Sequence, residues 1–207
     1  MPYIPNEREY RSFTAFEPEE REDGQLVIIG EPVVFNKPTV LWRDETTGIE
    51  YKEVIDPHFF DDCDMSDFIF NRNHGMNDST VFARTRNRSL EYEIGPECVK
   101  IRATLDDEDD RHRNLYRDVK KKRIDKMSFS FVHFPVEQGG YRYDPDTHTF
   151  YQLRARKLYD VSAVDFPAYN DTSIQTARSF FTEENRKEIM ALEERRRRQK
   201  LIIQTLL

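Results

Sequence analysis

Two serines stand two residues apart in a short apolar run, Lys126-Met127-Ser128-Phe129-Ser130-Phe131. In a strand, alternation puts Ser128 and Ser130 on one face and Met127, Phe129 and Phe131 on the other. A hydroxyl held beside a base is a nucleophile for acyl transfer. Most strand serines are simply small hydrogen-bonded residues, so the reading depends on a base and on a group to orient it. Five histidines are available, His58, His74, His112, His133 and His148. His74 is the best placed. It follows the apolar Phe68-Ile69-Phe70 within the turn-rich Asn71-Arg72-Asn73-His74-Gly75-Met76-Asn77, where a side chain can point into a cleft. An exposed loop histidine would have the same sequence surroundings. His112 lies in a charged helical segment and is expected to be solvated, and His148 falls in a loop. His133 stands further along the serine strand, ~10 Å beyond Ser130 at ~3.3 Å per residue, and ranks second.

The orienting group should be an acid on a strand. Leu158-Tyr159-Asp160-Val161-Ser162-Ala163-Val164 puts Asp160 in an apolar run, where a carboxylate is costly unless paired. Asp165, near the end of that run, is similar. An imidazolium would satisfy Asp160, and so would a salt bridge to Arg154 or Arg156. Other chemistries lack their signatures. The histidines have no metal-ligand spacing, and Asp61, Asp62 and Asp64 around Cys63 do not form an EF-hand loop. No phosphate-binding glycine motif and no GxSxG elbow is present. No metal and no cofactor is therefore expected.

These residues need a scaffold. A chain of 207 residues suits one domain with tails, and 37% hydrophobic with 13% aromatic residues supports a modest, Phe- and Tyr-rich core. The formal net charge of -7 argues against non-specific nucleic-acid binding. The basic runs Lys120 to Arg123 and Arg195 to Arg198 read as solvated helix surface. Cys63 and Cys98 make neither a zinc site nor a disulfide framework. No apolar stretch approaches the ~18 residues that span a bilayer, and the start of the chain has no signal-peptide character. A soluble, intracellular protein without membrane or specific nucleic-acid partners is expected.

Residues 1–25 read as a polar arm carrying at most one weak strand or helix, 26–178 as a strand-rich domain, and 179–207 as a terminal helical tail with Thr182 as its N-cap. Leu26 to Phe35 is two short strands or one broken at Gly30-Glu31-Pro32. Val40 to Arg43 and Ile49 to Ile55 flank Asp44 to Gly48 as a hairpin, and Pro57 can open a short helix. Leu90 to Ile94 and Val99 to Leu105 alternate as half-buried antiparallel strands. Asp106 to Lys122 runs from acid to base, as a helix dipole prefers, with Leu115 and Val119 as its packing face. Further strands follow at Phe150 to Leu153 and Arg154 to Val164.

In this order the features resemble the HK97-type prohead (capsid maturation) serine proteases of tailed bacteriophages. Asn71-Arg72-Asn73-His74 matches the family's Asn-His element after a strand. Met127-Ser128-Phe129-Ser130-Phe131 matches its Met/Leu-Ser-Phe-Gly-Phe strand, with Ser130 in place of glycine. Leu158 to Tyr169 matches its Leu-x-Glu-Val-Ser-x-Val-x-x-Pro-Ala-Tyr block, with Asp160 in place of the more usual glutamate. Ile29 to Asn36 and Glu53 to Phe60 are similar to its opening elements, so the resemblance covers about residues 26–178. It implies an α+β, strand-rich fold, a β-barrel core with surrounding helices of the herpesvirus assemblin type. It implies a Ser128, His74 and Asp160 triad; the sequence does not name the oxyanion donor, for which a backbone amide, Arg154 and Arg156 are the candidates. It also implies action inside the immature capsid in the host cytoplasm. The partners would be the major capsid protein and scaffold, with self-association and self-cleavage. The competing expectation is a non-catalytic scaffolding component on the same fold.

Overall fold

A computed structural model describes residues 9–14, 16–20, 24–44, 46–76 and 80–165, together with 194 and 198. In chain order the strands are β1 (Glu9–Thr14), β2 (Phe16–Glu20), β3 (Leu26–Val34), β4 (Thr39–Arg43), β5 (Glu50–Ile55), β6 (Ile69–Arg72), β7 (Ala83–Arg84), β8 (Leu90–Ile94) and β9 (Cys98–Thr104). The helix α1 (Asp110–Lys120) precedes β10 (Lys126–His133), β11 (Tyr141–Asp144), β12 (Thr149–Gln152) and β13 (Ala155–Val164). The chain is thus α+β and rich in strands.

The described strands form three open sheets, ordered β1-β10-β13-β6-β7, β11-β12-β5-β4 and β2-β3-β9-β8. The barrel implied by the resemblance does not close through them: β1 and β7 end the first sheet with no pairing between them. β1 ends at Thr14 on β10 and β2 begins at Phe16 on β3, so the chain changes sheet across one residue. Such a corner joins packed sheets without closing their edges. Within residues 1–25, expected as a polar arm with at most one weak strand or helix, Glu9–Thr14 and Phe16–Glu20 are thus two paired strands. The C-terminal helix falls almost wholly outside the described residues. Glu194 and Arg198 are helical and joined by an i,i+4 ion pair of 2.9 Å.

Local chemistry accounts for most elements. β3 is continuous, and its register shifts between Gly30 and Val33, where Pro32 cannot donate to the ladder. The β4–β5 hairpin forms, its turn held by Asp44 Oδ1 accepting from the Thr46 and Thr47 amides at 2.8 and 2.9 Å. Pro57 opens a series of turns rather than a helix; Asp56 Oδ1 accepts from the His58 amide at 2.8 Å, an Asx turn that competes with helical bonding. β9 buries Val99, Ile101 and Ala103, whereas β8 buries only Leu90. Among the described strands β8 is the edge of its sheet, and Tyr92 and Ile94 are exposed despite their alternation. Asp109 caps α1 by accepting from the Arg111 amide at 2.8 Å. The helix buries His112, Leu115, Tyr116 and Val119.

His112 is therefore packed and not solvated. Its Nδ1 accepts from the Asp106 amide at 3.0 Å and its ring meets Phe82 edge-on at 4.9 Å. The helical period that exposes its neighbours brings position 112 onto the stripe of Leu115 and Val119.

The main core is aromatic. Phe59, Phe60, Phe68, Phe70, Phe129 and Phe131 are all buried in one cluster, each burial stabilising by ~1.5–3 kcal/mol. Phe131 meets Phe59 edge-on at 5.1 Å, and Phe60 meets Phe129 at 6.3 Å. One face of β10 is thereby fixed against the core. Its opposite face is left to the serines.

Candidate active site

β10 lies between β1 and β13 and is buried on both faces. In the antiparallel β10–β13 register, Ser128 stands opposite Ser162 and Ser130 opposite Asp160. β6 runs parallel to β13 with Asn71 beside Ser162. Four polar side chains thus share one face of two central strands, in directly opposed pairs. All four are buried: Ser128, Ser130 and Ser162 have no exposed surface, and Asp160 is 1% exposed. A register shift between Ser130 and Phe131 lets Phe131 pair with Leu158, so Tyr159 has no opposite partner. This bulge puts Leu158 in the apolar core while Asp160, two residues on, faces the serines.

The base comes from the end of β6. After Arg72 the chain enters a 3-10 turn, Asn73–Gly75, with φ of +48° at Asn73, +56° at His74 and +71° at Gly75. Glycine and asparagine tolerate the left-handed region; a histidine there costs ~1–2 kcal/mol. The turn carries the imidazole onto β13 and β10. His74 Nδ1 lies 2.6 Å from Asp160 Oδ1, and Nε2 lies 2.7 Å from Ser128 Oγ. With the carboxylate accepting from Nδ1–H, Nε2 is the unprotonated nitrogen and accepts the Ser128 hydroxyl.

Further bonds hold this strained turn. The His74 amide donates to Ser162 Oγ at 3.0 Å, and the Ser162 hydroxyl in turn reaches Asn71 Oδ1 and, at 3.0 Å, Asp160 Oδ1. Asn73 Nδ2 donates to Asp165 Oδ2 at 2.9 Å while the Asp165 amide donates to Asn73 Oδ1 at 3.0 Å. Arg72 donates twice to Asp165 Oδ1, at 2.7 and 3.1 Å, and also reaches Asp118 on α1 at 3.7 Å. Asp165 thus anchors the turn and does not contact the imidazole. Ser162 and Asn71 were not singled out as site residues from sequence. The available signal was a buried-strand polar residue at the same parity as Asp160, and an asparagine ending an apolar strand.

The other candidates lie elsewhere. His133 Nδ1 is 2.5 Å from the Phe134 carbonyl, and its ring packs edge-on against Tyr141. His148 Nδ1 meets the Tyr143 hydroxyl at 3.0 Å, and His58 pairs with Asp61 at 3.0 Å. Asp160 does not take the arginine alternative: Arg154 pairs with Asp62 at 2.7 Å and donates to the Gln138 carbonyl. Of the expected basic run, Arg123 pairs with Asp118 at 2.7 Å and Lys120 lies over the Tyr116 ring. Burial pushes the Cys63 thiol up to about 12, which leaves it without nucleophilic character at neutral pH. Among the described residues, no cluster of His, Cys, Asp or Glu could hold a metal ion, and no helix is long and apolar enough to cross a membrane.

A hydroxyl, an imidazole and a carboxylate linked in sequence can do acyl transfer: the imidazole takes the hydroxyl proton and the carboxylate stabilises the imidazolium. Comparison with curated proteins and with solved structures gives no match. The family model for the Caudovirus prohead serine protease matches residues 14–187, which contain every segment of the site, and the chain belongs to that family.

Proposed function

We propose that the protein is a serine endopeptidase of phage prohead maturation, with Ser128 as nucleophile, His74 as general base and acid, and Asp160 as the group that orients the imidazole and stabilises its charged form. The observation that carries this is the continuous Ser128–His74–Asp160 hydrogen-bonded series, 2.7 and 2.6 Å, assembled from two strands and the turn that follows β6. Ser128 Oγ attacks the peptide carbonyl while His74 Nε2 takes its proton. The tetrahedral intermediate collapses as His74 returns that proton to the leaving amine, giving an acyl-enzyme. Water, deprotonated by His74, then releases the acid product. Ser128 has no exposed surface, so its hydroxyl must be uncovered before a peptide comes within ~3 Å.

Family membership supports a substrate set of scaffold and the N-terminal segment of the major capsid protein, and the protease's own chain, within the immature capsid. A non-catalytic assembly component would not need these three side chains to meet at the cost of a left-handed histidine. Co-expression with the capsid protein tests the assignment. Ser128→Ala and His74→Ala should abolish processing, and Asp160→Ala should reduce it severely; full processing by Ser128→Ala would refute the reading. The tail is a second, separable element: deleting residues 180–207 should leave peptide hydrolysis intact and reduce incorporation into proheads.

A further inference from the structure

Ser130 and Ser128 share one buried face of β10, yet their hydroxyls have different partners. Ser128 Oγ is 2.7 Å from His74 Nε2. Ser130 Oγ instead donates to Asp160 Oδ2, directly across the β10–β13 ladder. The two carboxylate oxygens are therefore divided. Oδ1 faces His74 Nδ1 at 2.6 Å, with Ser162 Oγ at 3.0 Å, and Oδ2 faces Ser130. A carboxylate this deeply buried has little water to satisfy a second oxygen. An unheld Oδ2 would leave the group free to turn about its Cβ–Cγ bond, and that rotation takes Oδ1 off the imidazole.

We propose that Ser130 is a positioning residue and not a second nucleophile: its hydroxyl locks the Asp160 carboxylate so that Oδ1 stays on His74 Nδ1. This rests on the Ser128–His74–Asp160 reading above. The lock has an electrostatic side as well. A donor on Oδ2 draws off part of the carboxylate's charge, which moderates the pull of Oδ1 on the imidazole proton. The other charged groups near the turn, Asp165 just past β13, Arg72 on β6 and Asp118 on α1, are engaged with one another.

The test uses the full chain and a fluorophosphonate probe, whose phosphorus forms a bond to an activated serine oxygen as fluoride leaves. Wild type, Ser128→Ala, Ser130→Ala and Ser130→Cys are reacted with increasing concentrations of probe at one neutral pH. The labelled residue is read by mass spectrometry, and thermal melts report the fold. For Ser130→Ala, labelling should remain on Ser128 with the saturating rate down about tenfold or more and half-saturation unchanged, the loss expected for one hydrogen bond to a charged group. Ser130→Cys keeps the volume with a weaker donor and should fall between the two, which secures the test if the alanine variant does not fold. A wild-type saturating rate in either folded variant overturns the positioning role while leaving the triad intact. Labelling of Ser128→Ala at Ser130 overturns both readings.

Discussion

Removing the Ser162 hydroxyl should damage both the fold and the reaction, by amounts that the hydrogen bonds set. Ser162 is wholly buried, and its oxygen accepts the His74 amide at 3.0 Å while its proton serves Asn71 Oδ1 and Asp160 Oδ1. Ser162→Ala removes a single oxygen, so the cavity left is small and the lost bonds dominate. Three groups lose this partner, but the single hydroxyl proton fully serves only one acceptor at a time, so about two full bonds are lost at about 1–2 kcal/mol each. The sum, about 2–4 kcal/mol, is large but below the 5–15 kcal/mol that typical domains hold, so the variant should fold. Urea unfolding should show a lower midpoint with an unchanged slope. The kinetic effect follows from the left-handed His74, φ +56°, which the Ser162 bond holds against a preference of ~1–2 kcal/mol for other conformations. Releasing one anchor worth ~1–1.5 kcal/mol should lower the population of aligned imidazole, and with it kcat, about tenfold. KM should not change, because a buried residue behind the imidazole does not touch the peptide. Stability within 0.5 kcal/mol of wild type (the scatter of ordinary surface changes, at about that size) together with an unchanged kcat would refute the anchoring argument.

Three further outcomes are expected. Burial lowers the pKa of His112 below its usual value, and its Nδ1 must stay unprotonated to accept the Asp106 amide. The unfolded chain then binds the proton more readily, so stability should be complete above about pH 6.5 and erode as the pH falls below it. Melting temperatures across that window, flattened in His112→Gln, check this. A Cβ at Gly140 would sit 1.6 Å from the Phe134 carbonyl oxygen, and Gly140 also bonds to Pro135, Leu153 and Arg154 through its backbone. Gly140→Ala must therefore shift backbone, and chemical denaturation should show a loss of about 3 kcal/mol or failure to fold. With its thiol pushed up to about 12, native Cys63 should alkylate at pH 8 on the order of a thousandfold more slowly than an ordinary cysteine, read by site-resolved mass spectrometry. Cysteine reagents should accordingly spare activity.

The residue types of the site were legible from the chain alone. A serine alternating with Met127 and Phe129, a histidine in a turn after an apolar strand and an aspartate in an apolar run each carry a local cost that only pairing offsets. Strand positions for β9, β10 and the β4–β5 hairpin followed from alternation and turn chemistry, and α1 followed from its charge order and Leu115–Val119 stripe. Other features depended on partners distant in sequence. Parity puts Ser128 and Ser130 on the same face, and only the register against β13 sends one hydroxyl to His74 and the other to Asp160. The bulge at Tyr159 decides which side Asp160 takes, and no local pattern encodes it. His112 was expected in solvent because its neighbours are charged, but burial is set by where the helix lies against Phe82. The assignment of the first residues to β1 and β2 likewise arises from β10 and β3, whose edges they complete. Sequence thus fixes which groups need a partner, through local cost. Tertiary structure alone decides which partner each receives, because strand register and turn direction join distant segments, 93 residues apart between Arg72 and Asp165 and further still between Glu9 and Phe131.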